Sequence, residues 1–322
     1  MKVFTPLREG TTPPVAVEIA AGRVTAASLE RRGGQPVVSQ HATELLPEGA
    51  LVPSLTAANT HDRAAVMTAL NRALERVGRP RRIGLVVPDA IAKVSLVRFE
   101  QVPIRSTDLD QLVRWQVRKS APFPIEEAQV SYVPALRHAD GQEFLVSLAR
   151  RNVIHEYEAL CAEAGAYAGL VDLTTFNVVN LLLASSAPPA DDWLLVNVAA
   201  DSASIALLRG PHVIFFRNRA NDTEGTLADL VHQTAMYYED RLQGGAGFSR
   251  VVLAGAASGS VRLGDVEQVR RSLEDRLSAR VETVDPRAAA SLTDRIAVAP
   301  ALLDSLAPLV GLLLRDREGV TA

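Results

Sequence analysis

The sequence lacks most of the features that mark a metalloenzyme, a secreted protein or a membrane-spanning protein. Its 322 residues include one cysteine, Cys161, which can form no disulfide within the chain and is typical of a small core residue in a reducing compartment. The six histidines form no pair at the spacing of a zinc site. Residues 1–14 contain no apolar run suited to a signal peptide, and the apolar run at 297–314 is interrupted by Pro300, Asp304 and Pro308. We therefore expect a cytoplasmic protein with no metal site and no direct membrane insertion.

Charge of one sign is not concentrated anywhere in the chain. The 34 basic and 37 acidic residues alternate without a long block and give a net charge of −3, which does not favour nucleic acid as a partner. The chain has no Gly-x-Ser-x-Gly elbow, and its glycine-rich residues 244–247 lack the lysine of a phosphate loop. The apolar fraction of 48% is, however, enough to fill the cores of two domains.

The order of the predicted elements repeats along the chain. Apolar alternation predicts strands, and apolar residues at helical spacing predict a helix, in the order 15–19, 23–29, 37–43, helix 62–77 and 83–87. After a polar break at 188–192, the same patterns predict strands at 193–198, 202–208 and 212–217, a helix at 223–242 and a strand at 251–253. Both halves are β-β-β-α-β, which predicts a duplicated α/β protein with two like domains facing each other across a cleft.

A small unit interrupts the first half. It contains a predicted strand at 93–99, a helix at 107–119 with Ser106 or Thr107 as its N-cap, and strands at 128–136 and 143–148 joined by a turn. This β-α-β-β order indicates an inserted subdomain. We predict a first domain at 1–88 plus 149–187, the insertion at 89–148 and a second domain at 188–322. The other predicted elements are helices at 152–164, 174–185, 261–279 and 302–314 and strands at 170–173 and 280–284.

Two like β-β-β-α-β domains with a small insertion resemble the actin-like superfamily, which has a ribonuclease H-like fold. The position and sequence of the insertion resemble the bacterial FtsA and PilM branch, and most of all the PilM family of cytoplasmic type IV pilus assembly proteins. The stretches that carry this resemblance are 96–103, 112–134, 143–182, 250–258 and 306–315. Their order and spacing, rather than one motif, make it specific. The cytoplasmic actin-like domain of type II secretion machinery shares the fold.

The resemblance implies a site for ATP with Mg²⁺ between the domains, built from two phosphate loops and a glycine pair. This sequence departs from the family pattern at each of them, because alanines stand where glycines let a phosphate approach the backbone. The first loop, usually Asp-Ile-Gly, is Glu18-Ile19-Ala20-Ala21-Gly22-Arg23, and Thr25 stands where a lysine often follows. The second loop is Asn197-Val198-Ala199-Ala200-Asp201-Ser202, and the pair is Gly255-Ala256. If ATP binds, its predicted contacts are Glu18, Ala20, Gly22, Asn197, Asp201, Ser202, Gly255 and Ala256.

The resemblance also implies a protein partner. In PilM-like proteins the cytoplasmic tail of the single-pass membrane protein PilN lies in a groove between the first domain and the insertion, which tethers PilM to the inner membrane. An extended tail can gain backbone hydrogen bonds along a strand edge and pockets for alternate side chains. The corresponding residues here are Val94, Leu96, Arg98, Leu112, Trp115 and Tyr132. Trp115 fits a core position of the insertion equally well.

Three hypotheses follow. The leading one is an actin-like scaffold with degraded nucleotide loops and little or no enzymatic activity. It would bind a PilN-like tail and other pilus assembly proteins, and would be held at the inner membrane through that partner. The second is an ATP-binding switch or ATPase that uses Glu18, Asn197, Asp201 and Gly255. The third is the cytoplasmic arm of a type II secretion protein.

Overall fold

The computed structural model describes residues 13–220, 225–242, 247–259, 266–293, 296 and 298–315. The first of its three sheets consists of β1 (Val15–Ala20), β2 (Arg23–Arg32), β3 (Gln35–Leu45), β4 (Arg82–Val87), β8 (Tyr167–Leu173) and β14 (Ser291–Leu292). Their spatial order is β14-β3-β2-β1-β4-β8. Strands β1 to β3 form an antiparallel meander, whereas β4 runs parallel to β1 and β8 runs parallel to β4.

The second sheet repeats this arrangement. It consists of β9 (Asp192–Val198), β10 (Ser202–Arg209), β11 (His212–Ala220), β12 (Arg250–Ala254) and β13 (Val281–Thr283). The order is β11-β10-β9-β12-β13, with an antiparallel meander of β9 to β11 followed by the parallel strands β12 and β13. The duplicated α/β fold that the order of elements predicts is therefore confirmed.

The third sheet belongs to the insertion. It consists of β5 (Ala92–Phe99), β6 (Ala128–His138) and β7 (Gly141–Arg150) in the antiparallel order β5-β7-β6, and helix α2 (Ser106–Arg118) covers one of its faces. The predicted β-α-β-β order is observed. The predicted N-cap of α2 is wrong: Arg105 is the N-cap and no side chain caps the helix, because Ser106 and Thr107 already lie in its first turn.

Among the described residues, seven further α-helices pack on the sheets. They are α1 (Arg63–Arg76), α3 (Arg151–Glu163), α4 (Thr174–Ser185), α5 (Leu227–Arg241), α6 (Ala256–Gly259), α7 (Val266–Leu277) and α8 (Pro300–Leu314). Asp62 begins α1 as predicted, since its side chain accepts a hydrogen bond from the backbone N–H of Ala65 at 3.0 Å. The predicted helices at 223–242 and 261–279 and the loop at 244–247 lie partly outside the described residues. In the described part of the chain, no helix is long and apolar enough to cross a membrane.

The end of the described chain returns to the first sheet. Strand β14 pairs in parallel with β3, and α8 packs against α4. One apolar core is built from the inner faces of both sheets together with these two helices. The two residues of β14 were not predicted, because so short a strand shows no alternation. The division into a second domain at 188–322 stays a prediction, and two elements in that range pack on the first sheet.

Candidate functional site

A small cavity lies between the two large sheets. The β1–β2 turn forms one wall and the β9–β10 turn forms the other, and a Cβ built on Gly22 would lie 3.9 Å from Cβ of Ala200. The residues predicted to contact ATP that line the cavity are Glu18, Ala20, Gly22, Asn197, Asp201, Ser202 and Gly255. Ala256 is not among the lining residues and begins α6 as a buried residue. The two predicted loops and the glycine are therefore brought together by the fold.

The space in this cavity is small. Its volume is about 40 Å³, whereas one water molecule needs about 10–15 Å³ on the same measure. About three water molecules therefore fit in the enclosed part of the cleft.

Glu18 is paired within the chain. Its carboxylate is almost fully buried at the end of β1, and its Oε2 lies 3.0 Å from Nη2 of Arg23. The hydroxyl of Thr174 lies 3.3 Å from the other carboxylate oxygen. The Nη1 atom of Arg23 donates across the cleft to the carbonyl of Ser258 at 2.8 Å. Arg23 thus neutralises the acidic residue of the first loop and links β2 to α6, a role that the sequence alone does not indicate.

Gly255 is required by the backbone. Its φ of 76° is left-handed, and a Cβ built there would lie 2.0 Å from the carbonyl oxygen of Val198 and 3.1 Å from Oδ1 of Asn197. The end of β9 passes too close for any side chain. The glycine therefore has a structural reason that is independent of nucleotide binding.

Two further carboxyl groups face the cavity. Oδ2 of Asp304 on α8 accepts a hydrogen bond from the backbone N–H of Ala257 at 2.6 Å, and burial raises the pKa of Asp304. Burial also raises the pKa of Asp201, with the charge of Asp89 acting in the same direction. Within the described residues, no group of three His, Cys, Asp or Glu side chains is arranged to hold a metal ion.

Asp89 is a further buried carboxylate of the cleft. It lies just after β4, and it accepts hydrogen bonds from the backbone N–H of Thr175 at 3.0 Å, from the Thr175 hydroxyl, and from the Ser204 hydroxyl at 2.7 Å. Asn197 donates to the Thr175 hydroxyl and Asn218 donates to the Ser204 hydroxyl, each at 2.9 Å. Burial raises the pKa of Asp89, and the hydrogen bonds from Thr175 and Ser204 oppose this rise.

The sequence analysis missed this network. Its signal is weak, because Asp89 only follows Pro88 at the end of a predicted buried strand, which is also where an ordinary turn residue would stand. Thr175, Ser204 and Asn218 lie in a helix and in strands, where hydroxyl and amide groups are common.

The residues predicted to bind a partner lie on different faces of the insertion. Val94, Leu96 and Arg98 alternate along β5 and share the face of its sheet that is turned away from α2. Val94 packs against the core of the first domain, and Leu96 lines a cavity shared with β11 and α5. Arg98 forms an ion pair with Asp140.

The other three predicted partner residues belong to the helical side of the insertion. Leu112 and Tyr132 pack in the core beneath α2, where the Tyr132 ring lies edge-on to Phe144 at 5.9 Å. Trp115 lies on the outer side of α2 with 63% of its surface exposed. It is therefore not a core residue of the insertion, and the six residues do not form one continuous surface.

The paired β-β-β-α-β sheets, the cleft between them and the inserted sheet define an actin-like protein. The chain is similar in structure to a chain of a PilM–PilN type IV pilus biogenesis complex, with a TM-score of 0.75 and 17% identity over 94% of this chain and 97% of that one. It is also similar to a Bacteroides thetaiotaomicron protein with an actin-like ATPase fold, with a TM-score of 0.49 and 9% identity over 90% and 96% of the two chains. For the cytoplasmic domain of EpsL, from the type II secretion system of Vibrio cholerae, the TM-score is 0.47 and the identity is 10%, over 96% of this chain and 94% of that one.

The sequence comparison defines the family. The model of the family described as type IV pilus assembly protein PilM matches residues 16–241, which is more than half of the chain. The chain belongs to this PilM family. No curated protein matches it.

Proposed function

We propose that this member of the PilM family is a scaffold of the type IV pilus assembly machinery that works without ATP turnover. It would hold the cytoplasmic tail of a PilN-like inner-membrane protein, and would be a cytoplasmic protein placed at the inner membrane by that contact. Family membership and the similarity to a structure of PilM with PilN support the partner.

The observation that carries the loss of ATP turnover is the pairing of Glu18 with Arg23. A Mg²⁺ ion bound at Glu18 would have to displace the guanidinium, which would also lose its hydrogen bond to the Ser258 carbonyl. Opening a buried pair of this kind is strongly unfavourable, because it leaves a charge without a partner. Ala20 and Ala199 line the cleft at the loop positions where the family has glycine, and the methyl group of an alanine hinders the close approach of a phosphate to the backbone.

The boundary between the first domain and the insertion supports the binding of a tail. Arg150 joins the two units, since it donates to the carbonyl of Thr56 at 2.7 Å and pairs with Glu127 at 2.8 Å. The loop that carries Thr56 is held by Glu156, which accepts hydrogen bonds from the backbone N–H groups of Asn59 and Thr60. These contacts would shape one wall of the proposed groove.

The other wall can supply a strand edge. Strand β5 is at the edge of its sheet, and its first half lies beside the core of the first domain through Val94. An extended tail laid along β5 would touch both units.

Calorimetric titration with ATP and Mg²⁺ tests for the nucleotide binding that any turnover would require. We expect no saturable heat from the folded protein. The matched variant is Arg23→Gln, which removes the positive charge that pairs with Glu18 and keeps an uncharged polar side chain at position 23. Saturable binding to the unaltered protein that disappears in Glu18→Ala would overturn the scaffold proposal and favour an ATP-dependent switch.

A fluorescently labelled peptide of the cytoplasmic tail of the PilN-like protein from the same organism tests the partner. Val94→Asp should weaken binding at least about tenfold, because it places a charge in an apolar contact at the seam. Leu45→Asp is the control, since Leu45 is 82% exposed at the end of β3 in the first sheet and is not part of the insertion. If the two variants bind the peptide with equal affinity, the peptide does not bind in this groove.

A further inference from the structure

Asp89 lies at the root of the inserted subdomain. Strand β4 of the first domain ends at Val87, a short 3₁₀ turn spans Asp89–Ile91, and β5 of the insertion begins at Ala92. The Asp89 side chain is only 5% exposed. A change in the hydrogen bonds of this carboxylate therefore acts directly on the short segment that joins the first domain to the insertion.

The hydrogen bonds of Asp89 connect both large domains. Thr175 on α4 supplies two donors from the first domain, and Ser204 on β10 supplies one from the second. Ser204 donates its only hydroxyl hydrogen to Asp89 and accepts from Asn218 of β11. The two hydrogen bonds therefore run in one direction. The Asn218 amide donates to the Ser204 hydroxyl within the second domain, and this hydroxyl donates to the Asp89 carboxylate of the first domain. Hydrogen bonds in a buried site are stronger than hydrogen bonds exposed to water.

The adjoining seam between the insertion and the second domain is incompletely packed. Strand β11 runs against β5 and β6, and a cavity of about 250 Å³ remains between them. The cavity is lined by Ser95, Leu96, Glu143, Ile214, Phe215, Phe216, Tyr237 and Leu242. A contact that leaves space unfilled contributes less cohesion than a close-packed one. The hydrogen bond from Ser204 to Asp89, at the end of this seam, therefore contributes a larger part of the interaction that holds the second domain against the insertion.

We propose that the hydrogen bond from Ser204 to Asp89 is a latch that couples the closure of the two domains to the position of the inserted subdomain. When the latch is open, β11 separates from the insertion along the unfilled seam. Asp89 is continuous in the chain with β5, so the same movement shifts one wall of the partner groove. This last consequence rests on the proposed function, whereas the latch itself does not.

Distance measurements between two spin labels test the latch. Labels on Gln129→Cys in β6 and Gln233→Cys in α5 report the separation of the insertion from the second domain, and both positions are exposed. The natural Cys161 is buried and does not take up a label. Ser204→Ala removes the donor to Asp89 together with the acceptor of the Asn218 amide, and we expect a distance distribution that is broader and shifted by several ångströms.

The control is Ser202→Ala on the same strand, because the Ser202 hydroxyl has its contact with Asp201 inside the second domain, at 3.5 Å. It should leave the distribution unchanged. Asp89→Asn should reproduce the effect of Ser204→Ala, because an amide replaces one accepting oxygen. A distribution for Ser204→Ala that equals that of the parent overturns the proposal, whether or not Asp89→Asn folds.

The labelled tail peptide separates the latch from its effect on the partner. We expect Ser204→Ala to change the affinity for the peptide at least about threefold and Ser202→Ala to leave it unchanged. A shifted distance with unchanged affinity would overturn the coupling to the partner and keep the latch. If the unaltered protein does not bind the peptide, the proposed function fails, and the distances alone still decide the latch.

Discussion

Replacing Gly311 by alanine should destabilise the protein, although alanine is the better helix former. In an unhindered helix interior the change would add about 1 kcal/mol to the free energy of unfolding. A Cβ built at Gly311 on α8, however, would lie 1.7 Å from the carbonyl oxygen of Asn177 and 3.1 Å from the backbone nitrogen of Leu181 on α4. Backbone atoms cannot rotate away, so the two helices must separate. We expect a net loss of about 3 kcal/mol.

Urea unfolding followed by circular dichroism measures this loss. Gly84→Ala is the matched control on the opposite side of α8, because its Cβ would meet only the end of the Leu312 side chain, with Cδ2 at 2.1 Å. Since that side chain can adopt another rotamer, we expect a loss of about 1 kcal/mol. Unchanged or increased stability of Gly311→Ala would refute the reasoning, and so would equal losses in the two variants.

Two other predictions follow from single side chains. Asp192→Asn should cost about 2 kcal/mol at neutral pH, because Asp192 accepts two hydrogen bonds from Arg209 at 2.8 and 2.7 Å and one from Tyr238 at 2.9 Å. The hydrogen bonds from Arg209 lower the pKa of Asp192 in the folded protein. The stability that they contribute is therefore fully present above the pKa of Asp192 in the unfolded chain, and it is lost as the pH falls through the lowered pKa of the folded protein. Urea unfolding midpoints measured at several pH values check this, with the exposed Asp191→Asn as the control. Burial raises the pKa of Cys161 to about 12, so a disulfide reagent at pH 8 should react only as fast as the protein unfolds, and rapid reaction of the folded protein would contradict its place in the core.

Local patterns in the sequence were enough to predict the elements and their repetition. Helix α1 buries Val66, Ala69, Leu70, Ala73 and Leu74 at the helical spacing on which its prediction depended. The β-α-β-β order of the insertion could be predicted for the same reason, since each of its elements carries its own period and is followed by turn residues. The meeting of the two predicted loops at one cleft follows from the duplicated fold.

The contacts inside the cleft could not be predicted in this way. The hydrogen bond from Arg23 to Ser258 joins residues separated by 235 positions, and the bond from Ser204 to Asp89 joins residues separated by 115. No local period records which distant hydroxyl or carbonyl group a side chain will reach. The short strand β14 and the packing of α8 on α4 depend in the same way on the completed first sheet.

The amino-acid sequence by itself thus determined the fold class, the insertion and the position of the cleft, because these depend on periodicity, turn residues and element order. The tertiary structure decided how the cleft is used. It paired Glu18 with Arg23, assigned Asp89 to a network between the domains and placed Trp115 on an exposed helix face instead of in a core. The physical reason is that burial and pairing of polar groups depend on which distant segments the folded chain brings together.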